Sequence, residues 1–127
     1  MTPELQTLHD LVARLESAGI DYMLTGSMAL NSYAQPRMTR DLDLVVAFYL
    51  KDAGRISEVL GSDYYVSPEA AREAVLSQSS FNAIHEQTRV KADFMIRKRE
   101  EYRLAEFERR QRVRIADFEA WVVSKED

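Results

Sequence analysis

Three aspartates carry the chemistry that this 127-residue sequence could perform. Asp41 and Asp43 stand two residues apart in the run DLDLVVAF, and Asp93 sits in the later run RVKADFMI. In both runs apolar residues alternate with the acids: Leu42, Leu44, Val46 and Phe48 in the first, Val90, Ala92, Phe94 and Ile96 in the second. A period of two predicts strands, each with a buried apolar face and the acids on the other face. Asp41 and Asp43 then emerge on one side with about 6.5–7 Å between their Cα atoms, and a neighbouring strand about 5 Å away would add Asp93 to the same patch. Three anions so placed repel one another unless a cation joins them. Hard oxygen donors select Mg²⁺ or Mn²⁺. Two such ions, about 3.5–4 Å apart, clamp the attacking and leaving oxygens of an in-line phosphoryl displacement.

A second device precedes the first acids. Gly26-Ser27 follows the short apolar stretch Ile20 to Leu24 and opens a segment, Ser27 to Tyr33, that reads as a short helix closed by Gln35-Pro36. Glycine permits close backbone approach, and the free N–H groups at a helix start favour an anion. Arg37 and Arg40 come just before the carboxylates, and a guanidinium holds two phosphate oxygens at once. Lys91, on the face of Asp93, is in reach of a phosphate or of an ion pair with Asp93. A lone Asp-x-Asp is common at caps and strand ends, and a lone Gly-Ser is common in turns. The combination is more specific: strand, Gly-Ser, thirteen residues, Asp-Leu-Asp on a strand, and a later strand with Asp on its matching face.

The remaining elements must hold these strands in place. Thr2-Pro3 is a cap-and-proline helix start, Leu5, Leu8, Leu11, Val12 and Leu15 form a stripe at helical spacing, and Gly19 is a stop. Asp52 is expected to cap a helix with Ile56, Val59 and Leu60 inside, ended by Gly61. Tyr64 to Val66 reads as an edge strand, Ser67-Pro68 starts a helix to about Ser77, and Phe81 to Glu86 pairs with Arg89 to Ile96 through a turn at Gln87-Thr88. Arg97 to Phe107 is a charged helix or turn. Arg109 to Ile115 is a strand on which Arg110, Arg112 and Arg114 share a face, best read as an edge protected by charge. His9 and His85 have no ligand constellation around them. Trp121 and the methionines read as packing.

Composition bounds the class. Hydrophobic residues are 46% and charged residues 30%, with no cysteine, so one globular domain over residues 1–127 is expected, without disulfides or thiolate metal sites. No apolar run reaches membrane-spanning length, and the first residues lack the order of a signal peptide, which together fit a cytoplasmic protein with no membrane partner. The net charge of −4 is uneven: residues 89–114 hold ten Lys and Arg against five Asp and Glu, and the rest holds seven against sixteen. A basic segment beside acidic aspartates suits metal-bound polyphosphate. Ser124 to Asp127 reads as a helix cap and first turn with no helix after it, the pattern of a fragment, with a frayed tail as the simpler alternative.

The block LTGS, MALNSYAQPRMTR, DLD resembles the signature of the DNA polymerase β-like nucleotidyltransferase superfamily, with Asp93 matching that family's third carboxylate. The form R-x-T-x-D-x-D, made by Arg37, Thr39, Asp41 and Asp43, is most similar to a small prokaryotic group of abortive-infection toxin-like and minimal nucleotidyltransferases. The resemblance implies an α+β fold, a mixed β-sheet with helices packed mainly on one face. It also implies transfer of a nucleoside monophosphate from an NTP to a hydroxyl of a protein, an RNA end or a small molecule, in a toxin–antitoxin or phage-defence setting with a partner protein. Carried over by residue, Gly26 and Ser27 hold the triphosphate. Asp41 and Asp43 ligate two Mg²⁺ (or Mn²⁺) ions, and Asp93 holds the catalytic one and helps deprotonate the acceptor. A non-catalytic binding partner with the same fold is the competing reading, and a plain α/β domain survives only if the three carboxylates lie apart.

Overall fold

The computed structural model describes residues 2–26 and 41–127. Helix α1 (Pro3–Ser17) starts where the sequence requires it, because the Thr2 hydroxyl accepts the Leu5 N–H at 3.1 Å and proline takes the first turn. Its stripe of Leu8, Leu11, Val12 and Leu15 is buried. The helix ends in a Schellman-type closure. Gly19, at φ +71°, donates to Glu16 O, and Ile20 N–H donates to Leu15 O. That closure consumes Ile20, so strand β1 spans Tyr22–Thr25 rather than beginning at Ile20 as the apolar run suggests.

Strand β2 (Asp41–Val46) follows, then a 3₁₀ turn (Leu50–Asp52), helix α2 (Ile56–Leu60), strand β3 (Tyr64–Tyr65) and helix α3 (Pro68–Ser77). The second half contains β4 (Ser80–His85), β5 (Lys91–Ile96), α4 (Glu101–Glu108), β6 (Gln111–Ile115) and β7 (Phe118–Val122). Ser67 caps α3 by accepting Ala70 N–H at 3.2 Å. Asp52 departs from its expected role. Buried at the end of the 3₁₀ turn, it accepts the Tyr49 N–H at 2.9 Å and the Arg55 guanidinium at 3.0 Å. Helix α2 therefore starts after Arg55 without a side-chain cap.

The described strands form one seven-stranded mixed sheet in the order β3-β4-β5-β2-β1-β7-β6. The pairs β2/β5 and β1/β7 are parallel, and the other four are antiparallel. Leu42, Leu44, Val46, Ala92, Phe94 and Ile96 point to one side and are buried with Leu8, Leu11, Leu15, Ile56, Leu60 and Ala74 of α1, α2 and α3. The opposite side has a much smaller apolar cluster, in which Phe107 of α4 covers Met23 and Ala47. Helices thus sit mainly on one face. The remainder of the second face is where the period-two pattern sends the acids. Among the described residues, no helix is long and apolar enough to cross a membrane.

Candidate functional site

The strand register brings the two acidic runs together. In the parallel β2/β5 ladder Asp43 is the direct partner of Asp93, and Asp41 is the partner of Lys91. Hydrogen-bonded neighbours in a sheet lie about 4.8 Å apart and direct their side chains to the same face. Asp41 and Asp43, two residues apart on β2, share that face. Thr25 of β1 and Asn82 of β4 extend the row, so Thr25, Asp43, Asp93 and Asn82 run side by side across four strands. The separation that would leave only a plain scaffold with scattered surface acids does not occur.

The electrostatics follow from this packing. Asp43 is half-buried, and its carboxyl is held above the ordinary carboxylate range by burial first, then by the charges of Asp93 and Asp41. Lys91 opposes the shift. Its ammonium lies 3.8 Å from an Asp93 oxygen, so the ion pair that the sequence left open is formed. Among the described residues of the patch, Asp41, Asp43 and Asp93 stand beside the ammonium of Lys91.

Gly26 completes the arrangement from β1. Its φ is +75°, and a Cβ built there would overlap an Asp43 carboxylate oxygen and stand 3.0 Å from the Asp43 Cβ and Cγ. Only a residue without a side chain lets the backbone pass this close to the carboxylate. The Gly of the Gly-Ser pair is thus directly packed on the second acid of the Asp-Leu-Asp, seventeen positions downstream in the chain. Ser27, Arg37 and Arg40, together with the helix expected over Ser27 to Tyr33, lie outside the described residues.

A hard divalent cation suits this donor set. The groups are carboxylate oxygens, and Asp43 is penalised for ionising by burial and by the charges of Asp93 and Asp41. Among the described residues, no group of three His, Cys, Asp or Glu side chains is placed so that it could hold a metal ion. Asp93 instead leans on Lys91.

Other singled-out residues have structural employment. Arg110 precedes β6, and its guanidinium covers the rings of Phe107 at 4.3 Å and Trp121 at 4.7 Å. Arg112 pairs with Glu16 at 2.7 Å and Glu119 at 3.5 Å. With β6 at the end of the sheet, this is an edge closed by charge and not a free basic track. His9 is stacked on Phe118 at 4.5 Å, and His85 Nδ1 accepts the N–H groups of Gln87 and Thr88 to close the β4/β5 turn. Both histidines looked partnerless in the sequence, because the partners come from another element or from backbone. Thr25 and Asn82 were not legible as site residues either: each is a single polar residue at a strand position, and only the register aligns it with the acids.

No family model matches the chain, and no curated protein matches it. Among solved structures, the crystal structure of a Thermotoga maritima protein provisionally described as a nucleotidyltransferase is similar, with a TM-score of 0.64 and 18% sequence identity, over 99% of this chain and 81% of that one. At that identity the likeness speaks for architecture alone. The fold is nucleotidyltransferase-like: an α+β mixed sheet of seven described strands with helices mainly on one face.

Proposed function

We propose that this protein is a metal-dependent nucleotidyltransferase that moves a nucleoside monophosphate from an NTP to an acceptor hydroxyl. One observation carries the reading: Asp43 and Asp93 are register partners on the open face, with Asp41 one pleat away and Gly26 packed on Asp43. Asp41, Asp43 and Asp93 would hold Mg²⁺ or Mn²⁺, whose charge would neutralise the carboxylates and the phosphate oxygens brought against them. Gly26, lacking a side chain, lets the Asp43 carboxylate stand against the backbone that leads to Ser27, and Ser27, Arg37 and Arg40 would bind the triphosphate. Lys91 is a further phosphate contact once released from Asp93.

In the reaction, the acceptor oxygen bonds to the α-phosphorus as the bond to the bridging oxygen of the β-phosphate breaks. Pyrophosphate leaves with that electron pair, and the hydroxyl proton passes to a carboxylate, for which Asp93 is the candidate. The R-x-T-x-D-x-D form of Arg37, Thr39, Asp41 and Asp43 extends the proposal to a toxin–antitoxin or phage-defence setting, with a protein, an RNA end or a small molecule as acceptor.

The second reading is a silent domain of the same fold that serves as a binding partner, favoured by the Lys91–Asp93 pair and the open arrangement of the acids. Mg²⁺ titration separates the two. Under the catalytic reading it raises the melting temperature of the wild type and leaves Asp43→Ala unmoved, and incubation with labelled NTPs and a cell lysate labels an acceptor. Equal metal responses from both proteins would remove the metal site, and the absence of label with every NTP would favour the silent partner.

A further inference from the structure

A cleft of about 600 Å³ opens on the same sheet face as the aspartates, directly beside them. Its floor is the next row of the ladder: Met23, Val45 and Met95 are register neighbours, one pleat beyond Thr25, Asp43 and Asp93. Thr25 lines the end nearest the acids. The far end is cationic. Arg97 and Lys98, just past β5, line the cleft, and neither makes an ion pair among the described residues. The Arg97 Nε is buried without a hydrogen-bond partner, while its terminal nitrogen is held by the Tyr49 hydroxyl at 2.9 Å and the guanidinium lies over Phe107. Arg103, on the α4 side, is already paired with Glu106 at 3.1 Å.

Direction along the strands assigns this cleft a side of the reaction. β1 runs antiparallel to β2, so after Thr25 the chain leaves the Asp43 row through Gly26 toward the Asp41 end, away from the cleft. Gly26 and the cleft therefore lie on opposite sides of the Asp43 row. An in-line displacement needs that disposition, because the attacking hydroxyl and departing pyrophosphate lie on opposite sides of the phosphorus. Resting on the nucleotidyltransferase reading, we infer that the cleft seats the acceptor, and that the acceptor is a phosphorylated compound of nucleotide size. Its phosphate lies at Arg97 and Lys98, its apolar or flat part on Met23, Val45 and Met95, and its hydroxyl toward Asp43 and Asp93. The volume suits a ligand of that size. The same charge repels a polycationic acceptor such as an aminoglycoside.

Calorimetry on the intact chain, without NTP or metal, tests the cleft by itself. The probes are adenosine 5′-monophosphate and a 5′-phosphorylated RNA trinucleotide, with adenosine and an aminoglycoside as controls. At least one phosphorylated probe is expected to bind, tenfold or more tighter than adenosine, with no detectable aminoglycoside binding. Which probe binds distinguishes a free nucleotide from a nucleic-acid end. Lys98→Glu, at an exposed position where the fold is indifferent, weakens binding tenfold or more, and Arg97→Gln does the same. Adding Mg²⁺–ATP leaves the probe bound. The inference is overturned if neither phosphorylated probe binds, if Lys98→Glu binds as wild type, if the aminoglycoside binds equally well, or if ATP displaces the probe. Should Mg²⁺–ATP never bind while the probe does, the nucleotidyltransferase reading fails and the anion-binding cleft stands; the reverse result removes the cleft alone.

Discussion

Gly26 and Asp43 are in contact because Gly26 has no Cβ. The backbone there has φ +75°, and the Asp43 carboxylate fills the space a side chain would need. Gly26→Ala is strained twice, by the left-handed backbone and by the overlap, and should cost on the order of 1–2 kcal/mol of stability. The effect on function should be larger, since Asp43 must move to make room: nucleotide turnover is expected to fall more than tenfold. Calorimetry and a turnover assay on the same preparation check both. An alanine variant with full turnover would mean that Asp43 can step aside harmlessly.

Asp43 also predicts a pH dependence. Its folded carboxyl is raised by burial and by Asp93 and Asp41, so between the unfolded and folded values the native state binds more protons than the unfolded state. Stability contributed by this group is therefore lost as pH rises through that window, and stays lost at neutral pH. Asp43→Asn should be more stable than wild type at pH 7 in the absence of divalent ions, though inactive. The advantage should vanish below the ordinary carboxylate range. Urea titrations at the two pH values give the comparison.

Lys91 occupies the charge position that a cation would take. Removing its ammonium with Lys91→Met frees Asp93 from that ion pair. Mg²⁺ binding without nucleotide should tighten severalfold, whereas NTP affinity should fall roughly tenfold through the loss of a phosphate contact. Titration calorimetry resolves the two effects, and an unchanged Mg²⁺ affinity would remove Lys91 from the metal balance.

Phe107 anchors α4 over the open face. It is buried against Met23 and Ala47, and both Arg97 and Arg110 lie across its ring. Phe107→Ala should cost about 3–5 kcal/mol. It should also release the Arg97 guanidinium, so binding in the cleft weakens even where the protein remains folded. Denaturant unfolding followed by probe titration at low temperature measures both losses.

Much of this protein was determined by its sequence alone. The caps at Thr2 and Ser67, the alternation in DLDLVV and KADFMI, and the glycine stops are local devices whose physics acts over a few residues, and the elements they define are present with small shifts at their ends. The side on which the acids emerge was equally determined, because a period of two leaves no choice once the other face must be buried. Ile20 and Asp52 mark where local reasoning stopped. Each was claimed by a different nearby backbone group, the Schellman closure and the 3₁₀ turn, and those competitors differ by too little to rank from sequence.

Only the tertiary structure decided which strands lie together and in what register. That β5 pairs with β2 in parallel, with Asp93 opposite Asp43 and not one pleat away, depends on how α1, α2 and α3 bury the Leu42, Leu44, Phe94 and Ile96 face as a whole. The contact of Gly26 with Asp43 and the alignment of Met23, Val45 and Met95 below Arg97 come from the same register. Residue types specify what chemistry an acid or a glycine can do. Whether they do it together is settled by non-local packing, in which every hydrophobic contact takes part and no short motif is sufficient.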